Sequence, residues 1–523
     1  MTPHRLPAPP AVARVLAAAL ALLALAAPAP RARAADIVAH PDQLRFPPAD
    51  YVPPRAADHR VRLANGLVAY LVPDPTTPLV TVSVLMRVGP QLDPPGREGL
   101  AAMTLHLLTR SGTAAMSADA LEARLAQLGA QLESGVGGGG GGFFGGGAPL
   151  GPSEGRASLN LLARNLDEGL GLLAACLATP AFEAGRVALD KDQQLQAMKR
   201  RNDESGAIEE REWGVLTRGA GHWSNRWPTQ ASLQAITADD LRAFQRRWIG
   251  PRNFVLAVSG DFDRRTIVKQ LERAFARWPA PTERAPAAAP PAAPEQSGWF
   301  LVDKDVNQGR VSIGVPGVSR YDPDWAAARV MNDILGGGGF TARLVNRIRS
   351  DEGLAYSVGS RLEGGNDAAG PWRLQFQSKV RSVAYATQIA LEEIRRMRDS
   401  LVTPGELEAS KNKFVESLPA QFETAGAIAG TLAAEELTGR YLKDPGYFAD
   451  YAKRIEAVSA ADVQRVAQRL LDPAKLTVLL VGNAGDMLLG DPKHDASLAK
   501  LAGGEPRRLP LRDPLSMKPL AAN

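Results

Sequence analysis

Two segments far apart in this 523-residue chain share one pattern, in which a capped helix leads into an apolar strand that ends at a glycine. The first begins at Thr237 in ITADDL and reaches Gly260, and the second begins at Ser459 in VSAADV and reaches Gly482. A hydroxyl residue three positions before an aspartate is typical of a helix N-terminus. The repeat predicts an internal duplication, and hence an α+β fold with two homologous halves. Two unrelated α+β domains are the alternative.

The two halves also open alike. Residues 61–72 read as two short strands around the Asn65-Gly66 turn, and the strand 80–88 follows; the second half opens with strands around 299–302 and 310–315. Between the halves, residues 279–296 are rich in proline and alanine, which predicts an extended, semi-rigid tether and not a packed element. We therefore expect an N-terminal half at 35–278, a linker at 279–297, a C-terminal half at 298–490 and a tail at 491–523.

The first 34 residues have the pattern of a signal peptide. Arg5 and Arg14 precede the apolar run 15–27, and Ala32-Arg33-Ala34 supplies small residues around a cleavage site. The run is too short to span a bilayer comfortably. We expect an exported, soluble protein, periplasmic or secreted. Cleavage removes four arginines and no acidic residue, so the net charge falls from +5 to +1 and gives no argument for nucleic acid.

The single cysteine, Cys176, lies in the apolar segment 170–177. One cysteine excludes an intramolecular disulfide. A thiol on an apolar helix face is typical of a small core residue.

The segment GLAAMTLHLLTRSGT at 99–113 resembles the zinc helix of the pitrilysin/insulinase family of metallopeptidases, which reads G-x-A-H-x-x-E-H. In that family the two histidines bind zinc and the glutamate is the general base. Here Ala102 stands at the first ligand position and Leu105 at the base position, so that only His106 remains. A catalytic zinc needs about three protein ligands. The resemblance therefore implies a degenerate zinc site, with His106 held by packing.

The family's third ligand is a glutamate on a later helix. The segment RVALDKDQ at 186–193 resembles that helix, and Asp192 falls near the glutamate position to within a few residues. The other histidines after residue 34 form no pair spaced by four or fewer. We expect no metal and no cofactor in this chain, with zinc in a partner subunit.

The second half, unlike the first, retains residues that resemble functional residues of the family. Arg349 and Tyr356 in RSDEGLAYSV resemble the family's arginine and tyrosine, which donate hydrogen bonds to the substrate carbonyls and to the oxyanion. The segment LGGGGFTARL resembles the family's glycine-rich turn, and the resemblance implies that it binds substrate through Gly336, Gly337, Gly338, Gly339 and Phe340. The alternative for the glycines is a flexible connection between helices.

The resemblance covers nearly the whole mature chain and implies a clamshell around a chamber for unfolded peptide. A lost zinc site beside a retained arginine and tyrosine resembles the non-zinc subunit of the mitochondrial-processing-peptidase-like branch. We therefore expect a heterodimer with a zinc-bearing homologous subunit and no activity of this chain alone. A catalytically inert scaffold of the same fold and an independent peptidase with an unusual metal site are the alternatives.

The insert SGVGGGGGGFFGGGAPLG at 134–151 departs from the family pattern. It lacks the Lys-Ser/Thr pair of a phosphate-binding loop, so we expect a flexible hairpin tip. The alternative is a docking finger that brings Phe143 and Phe144 to a partner or a membrane.

Overall fold

The computed structural model describes residues 40, 51–137, 150–276, 278, 283–290, 297–366 and 369–521. All elements named below belong to one compact unit, Val52–Asn523. The proposed signal peptide and the Phe143-Phe144 pair lie outside the described residues. Among the described helices, none combines the length and the apolar character that crossing a membrane requires.

The first half contains a six-stranded sheet in the order β1-β2-β6-β3-β5-β4. Strands β2 and β6 are parallel, and the other neighbours are antiparallel. The central strand β6 is buried at six of its seven positions, whereas β5 alternates between buried and half-buried positions because one of its faces is partly open. The strands are β1 Arg60–Arg62, β2 Val68–Pro73, β3 Leu79–Met86, β4 Gln131–Val136, β5 Gly155–Leu162 and β6 Phe254–Gly260.

The second half repeats this arrangement in the order β12-β7-β11-β8-β10-β9. Strands β7 and β11 are parallel, at the place that β2 and β6 occupy in the first sheet, and the edge strand β12 is also parallel to β7. The strands are β7 Gly298–Asp303, β8 Gln308–Pro316, β9 Ala355–Leu362, β10 Pro371–Lys379, β11 Thr477–Gly482 and β12 Arg507–Leu509. The two sheets share the order of five strands, so the predicted fold class of two homologous α+β halves is confirmed.

Helices pack on both sheets. The α-helices are α1 Ala56–His59, α2 Leu100–Leu107, α3 Ala118–Leu128, α4 Leu166–Ala178, α5 Ala184–Lys199, α6 Ser205–Arg218, α7 Gln230–Ala235, α8 Ala238–Trp248, α9 Arg264–Phe275, α10 Trp325–Asn332, α11 Val383–Asp399, α12 Pro404–Glu416, α13 Ala425–Leu437, α14 Arg440–Lys443, α15 Tyr451–Glu456, α16 Ala460–Leu470, α17 Ala484–Leu489 and α18 Leu498–Ala502. Two π-helices, Asp333–Gly337 and Val345–Asp351, lie in the second half. The 3-10 helices are Pro90–Leu92, Ala163–Asn165, Trp223–Asn225, Pro251–Asn253, Gly339–Thr341, Val380–Ser382, Pro419–Phe422 and Pro473–Lys475.

The repeated capping signature has the predicted geometry in both halves. The Thr237 side chain accepts from the backbone N–H of Asp240, and the Asp240 carboxylate accepts from the Thr237 backbone N–H, which forms a capping box at α8. Ser459 and Asp462 form the same box at α16. Each box satisfies two N–H groups that a helix start leaves without partners. The predicted N-cap at Thr237 is thus confirmed.

The halves exchange one helix each. Helix α6, from the first half, places Ile208 and Trp213 on the second sheet, where they contact Phe300 and Leu479 among others. Helix α13, from the second half, places its apolar face on the first sheet. Each half therefore has part of its sheet covered by the other.

A buried glutamate accompanies each exchanged helix. Glu209 on α6, 2% exposed, accepts from Ser312 of the second sheet. Glu436 on α13 accepts from Arg60 at 3.0 Å and from the Tyr70 hydroxyl at 3.0 Å. A buried carboxylate is stable only with such donors. These contacts join the two halves within the compact unit.

The described part of the linker differs from the prediction of an unpacked tether. Residues 283–290 form no helix or strand, but Ala285 is buried and its N–H donates to the Asn253 side chain. The Ala289 carbonyl contacts His222 Nε2 at 3.1 Å and accepts from the Trp223 indole at 3.2 Å. The segment is therefore bound to the first half, because its backbone polar groups find side-chain partners there.

Cys176 occupies a fully buried position on α4, as predicted for a small core residue. Burial raises the pKa of its thiol to about 12. The thiolate that nucleophilic chemistry needs is therefore suppressed at neutral pH.

Candidate functional site

Helix α2 carries the degenerate zinc motif, and its start is fixed by Asp93 and Gly99. Gly99 has φ 99°, a left-handed conformation that favours glycine. The Asp93 carboxylate accepts from the N–H of Gly99 at 2.8 Å and from the N–H of Ala101 at 2.7 Å. Asp93 therefore caps the helix from six residues before Gly99, a role that the motif comparison missed.

The position of the family's general base is part of the core. Leu105 is fully buried, and a Cβ placed on Gly155 of β5 would lie 2.9 Å from its Cδ1 atom. The Leu105 carbonyl also accepts from the Ser134 hydroxyl of β4 at 2.5 Å. The side chain at this position packs on the sheet, and it carries no group that could activate water.

His106 pairs with an acidic residue on α5. Its Nε2 lies 3.5 Å from Oδ1 of Asp190, which is 6% exposed and accepts from Gln194 at 2.6 Å. Asp192, the residue expected near this position, is exposed on the same helix. The structure therefore puts Asp190 where Asp192 was expected, because Asp190 lies on the buried face of α5 with Val187.

Burial shifts both members of this pair toward their neutral forms. It lowers the pKa of His106, and the charge of Arg110 lowers it further, while Asp190 acts in the opposite direction. Burial raises the pKa of Asp190, whereas Gln194, His106 and Arg110 lower it. His106 is thus half-buried and has a polar contact with Asp190, whereas the sequence predicted only a packing role.

These residues do not fit a catalytic zinc. The positions that the resemblance assigns to zinc ligands hold a methyl group at Ala102, one imidazole at His106 and one short carboxylate, and the assigned base position holds Leu105. In the described part of the chain, no group of three or more His, Cys, Asp or Glu residues could hold a metal ion. Three protein ligands and an open position are the minimum for catalytic zinc. We therefore derive no zinc chemistry within this chain.

Arg349 and Tyr356 lie together in the second half. The Arg349 guanidinium, from the π-helix Val345–Asp351, is centred 4.9 Å from the Tyr356 ring and 4.7 Å from the Phe340 ring. Tyr356, at the start of β9, is 85% exposed, and Phe340 is 69% exposed. Two rings thus hold one cation near the surface, where such contacts contribute about 0.5–1 kcal/mol. Among the described residues, Arg349 forms no ion pair.

The glycine-rich turn has a packing role that the sequence did not specify. A Cβ on Gly336 would lie 2.6 Å from Ser360 Oγ of β9, and one on Gly337 would lie 2.6 Å from Asn332 Nδ2. Gly338 would meet the Asp333 carbonyl at 2.7 Å, and Gly339 has φ 68°. Gly336 and Gly338 are therefore required for close approach to backbone atoms, whereas Gly337 meets the end of a side chain that can move, and Gly339 is favoured by its backbone conformation.

Two ion pairs anchor this turn and were not anticipated from the sequence. Arg343 donates two hydrogen bonds to Glu406, at 2.6 and 2.9 Å, and Lys413 lies 2.7 Å from the Asp333 carboxylate. The hydrogen bonds from Arg343 lower the pKa of Glu406 to about 2. Thr403 and Glu406 form the capping box of α12. The T-x-x-E pattern in the sequence indicates this helix start, and so the position of Glu406.

A cavity of about 470 Å³ has residues of both halves in its wall, among them Arg87, Glu154, Glu363 and Asn366. The described linker residues 284–290 also line it. Its described lining includes neither His106 nor Arg349, which belong to different halves. The structure thus groups His106 with Asp190, and Arg349 with Tyr356 and Phe340, as two separate clusters.

Sequence comparison finds a family match for part of the chain. Residues 235–414 match the family described as Peptidase M16 inactive domain. An uncharacterized zinc protease of Streptomyces coelicolor is 28% identical over 249 residues, which are 46% of this chain and 53% of that protein. A protein of Helicobacter pylori named non-peptidase homolog YmxG is 26% identical over 52% of this chain and 63% of its own length. The chain thus spans between half and two thirds of these relatives.

Structural comparison agrees on the fold. The crystal structure of a peptidase M16 inactive domain from Pseudomonas fluorescens superposes with a TM-score of 0.68 at 23% identity, over 81% of this chain and 97% of that chain. A likeness at this identity concerns the fold and not the activity. Residues 235–414 are thus similar to the M16 inactive domain, and most of the chain has the fold of the M16, or pitrilysin/insulinase, peptidase structures.

Proposed function

We propose that this chain is the non-zinc subunit of an exported M16-type peptidase. In this proposal it binds unfolded peptide and supplies Arg349 and Tyr356 to the active site of a zinc-bearing partner subunit. The observation that carries the proposal is the exposed cluster of Phe340, Arg349 and Tyr356, whose cation forms no ion pair among the described residues. A cation and a phenol without carboxylate partners are available to a substrate.

The cluster has the chemistry of an oxyanion donor. A guanidinium and a phenol both donate hydrogen bonds, and neither must lose a proton to do so. The rings of Phe340 and Tyr356 restrict the Arg349 side chain, so less conformational freedom is lost when it binds. Donors that are fixed before the reaction stabilise the negative charge that develops in the transition state.

Strand β9 offers the backbone for an extended peptide. It is the last strand of its sheet, and among the described residues it pairs as a strand only with β10. Asn332 and Gly336 cover its outer edge at Ser360, so an added strand could pair with the part near Tyr356. Tyr356 and Ser357 are exposed near the start of this strand. A peptide paired along β9 would pass close to the Phe340, Arg349 and Tyr356 cluster, which supports substrate binding there.

Zinc and the general base must come from the partner. The positions at Ala102 and Leu105 cannot supply a ligand and a base, and each function changes rates by orders of magnitude. In the proposal the partner carries an intact H-x-x-E-H helix, and zinc there would activate water and polarise the scissile carbonyl. The N-terminal pattern at 1–34 supports assembly outside the cytoplasm.

Reconstitution tests this proposal. The mature chain is mixed with an M16 homologue that carries H-x-x-E-H and is encoded beside it, and cleavage of an unfolded fluorogenic peptide is measured with complex formation by size exclusion. We expect a complex whose turnover exceeds that of either chain alone. Lack of a complex with such a homologue, or a complex no faster than the zinc chain alone, would contradict the proposal.

An inert scaffold is the second candidate. The resemblance to the Helicobacter pylori protein named non-peptidase homolog supports it. So do the close contacts of Gly336, Gly337 and Gly338, because packing alone explains these glycines. The two candidates differ in one measurable respect: a scaffold needs its surface for assembly, but its Arg349 and Tyr356 would not influence turnover.

A further inference from the structure

The C-terminal segment 505–521, here called the strap, contacts both halves of the chain. Its strand β12, Arg507–Leu509, joins the second sheet as the parallel neighbour of β7. It lies at the edge that corresponds to the position of β1 in the first sheet. Leu509 and Leu511 then pack on the buried cluster around Phe300. The strap therefore covers a sheet edge whose backbone groups could otherwise pair with another strand.

After β12 the strap crosses to the first half. The Arg512 guanidinium donates to the Glu212 carboxylate of α6 at 2.6 and 3.1 Å, and the Arg512 carbonyl accepts from the Asn202 side chain at 2.8 Å. The Leu515 carbonyl accepts at 2.8 Å from the N–H of Gln230, the first residue of α7. That N–H is one of the donors that a helix start leaves without a partner. Leu515 also packs against the core of the first half.

The ion pair between the strap and α6 is largely buried. The Glu212 side chain is 6% exposed and that of Arg512 is 20% exposed. Among the described residues, only Arg512 donates hydrogen bonds to this carboxylate. A buried carboxylate that loses its donors is strongly unfavourable. Because α6 is the helix that the first half places on the second sheet, this contact stabilises the interface between the halves.

The strap forms a distinct unit along the chain. Gly503 and Gly504 precede it, and a Cβ at either position would meet nothing within 4 Å, so the connection to the strap is loosely packed. After Arg512 the chain turns, and the Asp513 carboxylate accepts from the N–H of Ser516 at 2.6 Å and from its hydroxyl at 2.7 Å. A folded unit on a two-glycine connection can bind or leave as a whole.

We propose that the strap is a clasp that holds the two halves at one opening. Its strand binds the second sheet, while Arg512 and Leu515 bind α6 and α7 of the first half. A change in the opening must therefore break one of these two sets of contacts, and release of the strap lets the halves separate more widely. The clasp requires neither a partner subunit nor zinc, so it stands or fails independently of the proposed function.

Distances between spin labels test the clasp in the mature chain. Leu189→Cys on α5 and Leu401→Cys after α11 put one label on an exposed position of each half, and the buried Cys176 should stay unlabelled. We expect one narrow distance distribution in the full-length chain. A chain that ends after Gly504 should give a broader distribution with a longer mean distance. Thermal unfolding checks its fold, and a folded truncated chain with full-length distances would overturn the proposal.

Point variants decide if the truncated chain does not fold. Arg512→Ala removes the donors to Glu212, so it should broaden the distance distribution and make the amides of residues 200–214 exchange about tenfold faster or more. Arg508→Ala is the matched control, because Arg508 is exposed on β12 of the same strap, and it should leave both measurements unchanged. Equal distances in the two variants would refute the clasp, even if Arg512→Ala lowers stability.

Discussion

The Nε2 atom of His106 on α2 lies 3.5 Å from Oδ1 of Asp190 on α5. The resemblance to the zinc helix assigns a ligand position to Ala102 and the general-base position to Leu105, which is a core residue. One imidazole and one carboxylate are too few for a catalytic zinc. The pair alone therefore does not provide a catalytic zinc site.

Metal binding should depend on position 102. We expect the purified wild-type chain to hold no stoichiometric zinc after dialysis, because only His106 and Asp190 are in place. Ala102→His adds a second imidazole one helical turn before His106 and should give about one zinc per chain. His106→Ala in that background should abolish the binding. Metal analysis decides, and zinc retained by the wild type would contradict this account.

Restoring zinc binding should not restore peptidase activity. Leu105 is buried and cannot act as a base, so the Ala102→His chain with zinc should not cleave an unfolded peptide above background. Turnover by that variant alone would show that base chemistry is available elsewhere in the chain.

The packing of helix α6 on the second sheet should be sensitive to side-chain volume at Gly314 of β8. A Cβ on Gly314 would lie 2.8 Å from the Trp213 ring and closer still to the Trp372 carbonyl. Gly314→Ala should therefore destabilise the fold by about 1–3 kcal/mol. Gly171→Ala on α4 meets nothing within 4 Å and should instead stabilise by about 0.5–1 kcal/mol. Chemical denaturation measures both, and equal effects would refute the close packing.

Acid stability should depend on Glu406. Its pKa is about 2 when folded, below the ordinary value of 4.5, so its contribution is fully present above pH 4.5 and is lost as pH falls toward 2. Glu406→Gln should lower the free energy of unfolding near neutral pH by about 1–2 kcal/mol, a value reduced for solvent screening. The exposed Glu408→Gln on the same helix should change it by less than about 0.5 kcal/mol. Denaturation from pH 7 to 3 compares them, and identical profiles would refute the role of Glu406.

The mature protein should begin at or near Ala35. Ala32 and Ala34 give the spacing of small residues that signal peptidase cleaves after. N-terminal sequencing of the protein from fractionated cells measures this directly. An intact Met1 in the cytoplasmic fraction would show that the segment is not a signal peptide.

The sequence predicted the fold because its signals are local. The boxes at Thr237 and Ser459 each determine a helix start from residues three positions apart, and the strands that follow are continuous apolar runs. The helix exchange could not be predicted in this way. The apolar face of α6 shows that Trp213 must be buried, but nothing local specifies which sheet covers it.

The site was predicted in part for the same reason. A motif gives positions along the chain but not the face of the helix on which each residue lies. Asp190 lies on the buried face of α5, near His106, and Asp192 does not. The spacing of Val187, Asp190 and Gln194 contained the signal, since these residues share one face of α5. The contact of Arg349 with Phe340 depends on two segments that meet only after folding.

Turnover of the reconstituted complex with Tyr356→Phe tests the central claim most directly, measured at equal concentration of assembled complex. The variant removes one donor and keeps the ring against Arg349, so assembly should be unchanged while turnover falls about 100- to 1000-fold. Tyr385→Phe should assemble and turn over like wild type. If Tyr356→Phe also assembles and cleaves like wild type, this chain does not supply the proposed donor, and the inert scaffold replaces the catalytic subunit as the better account.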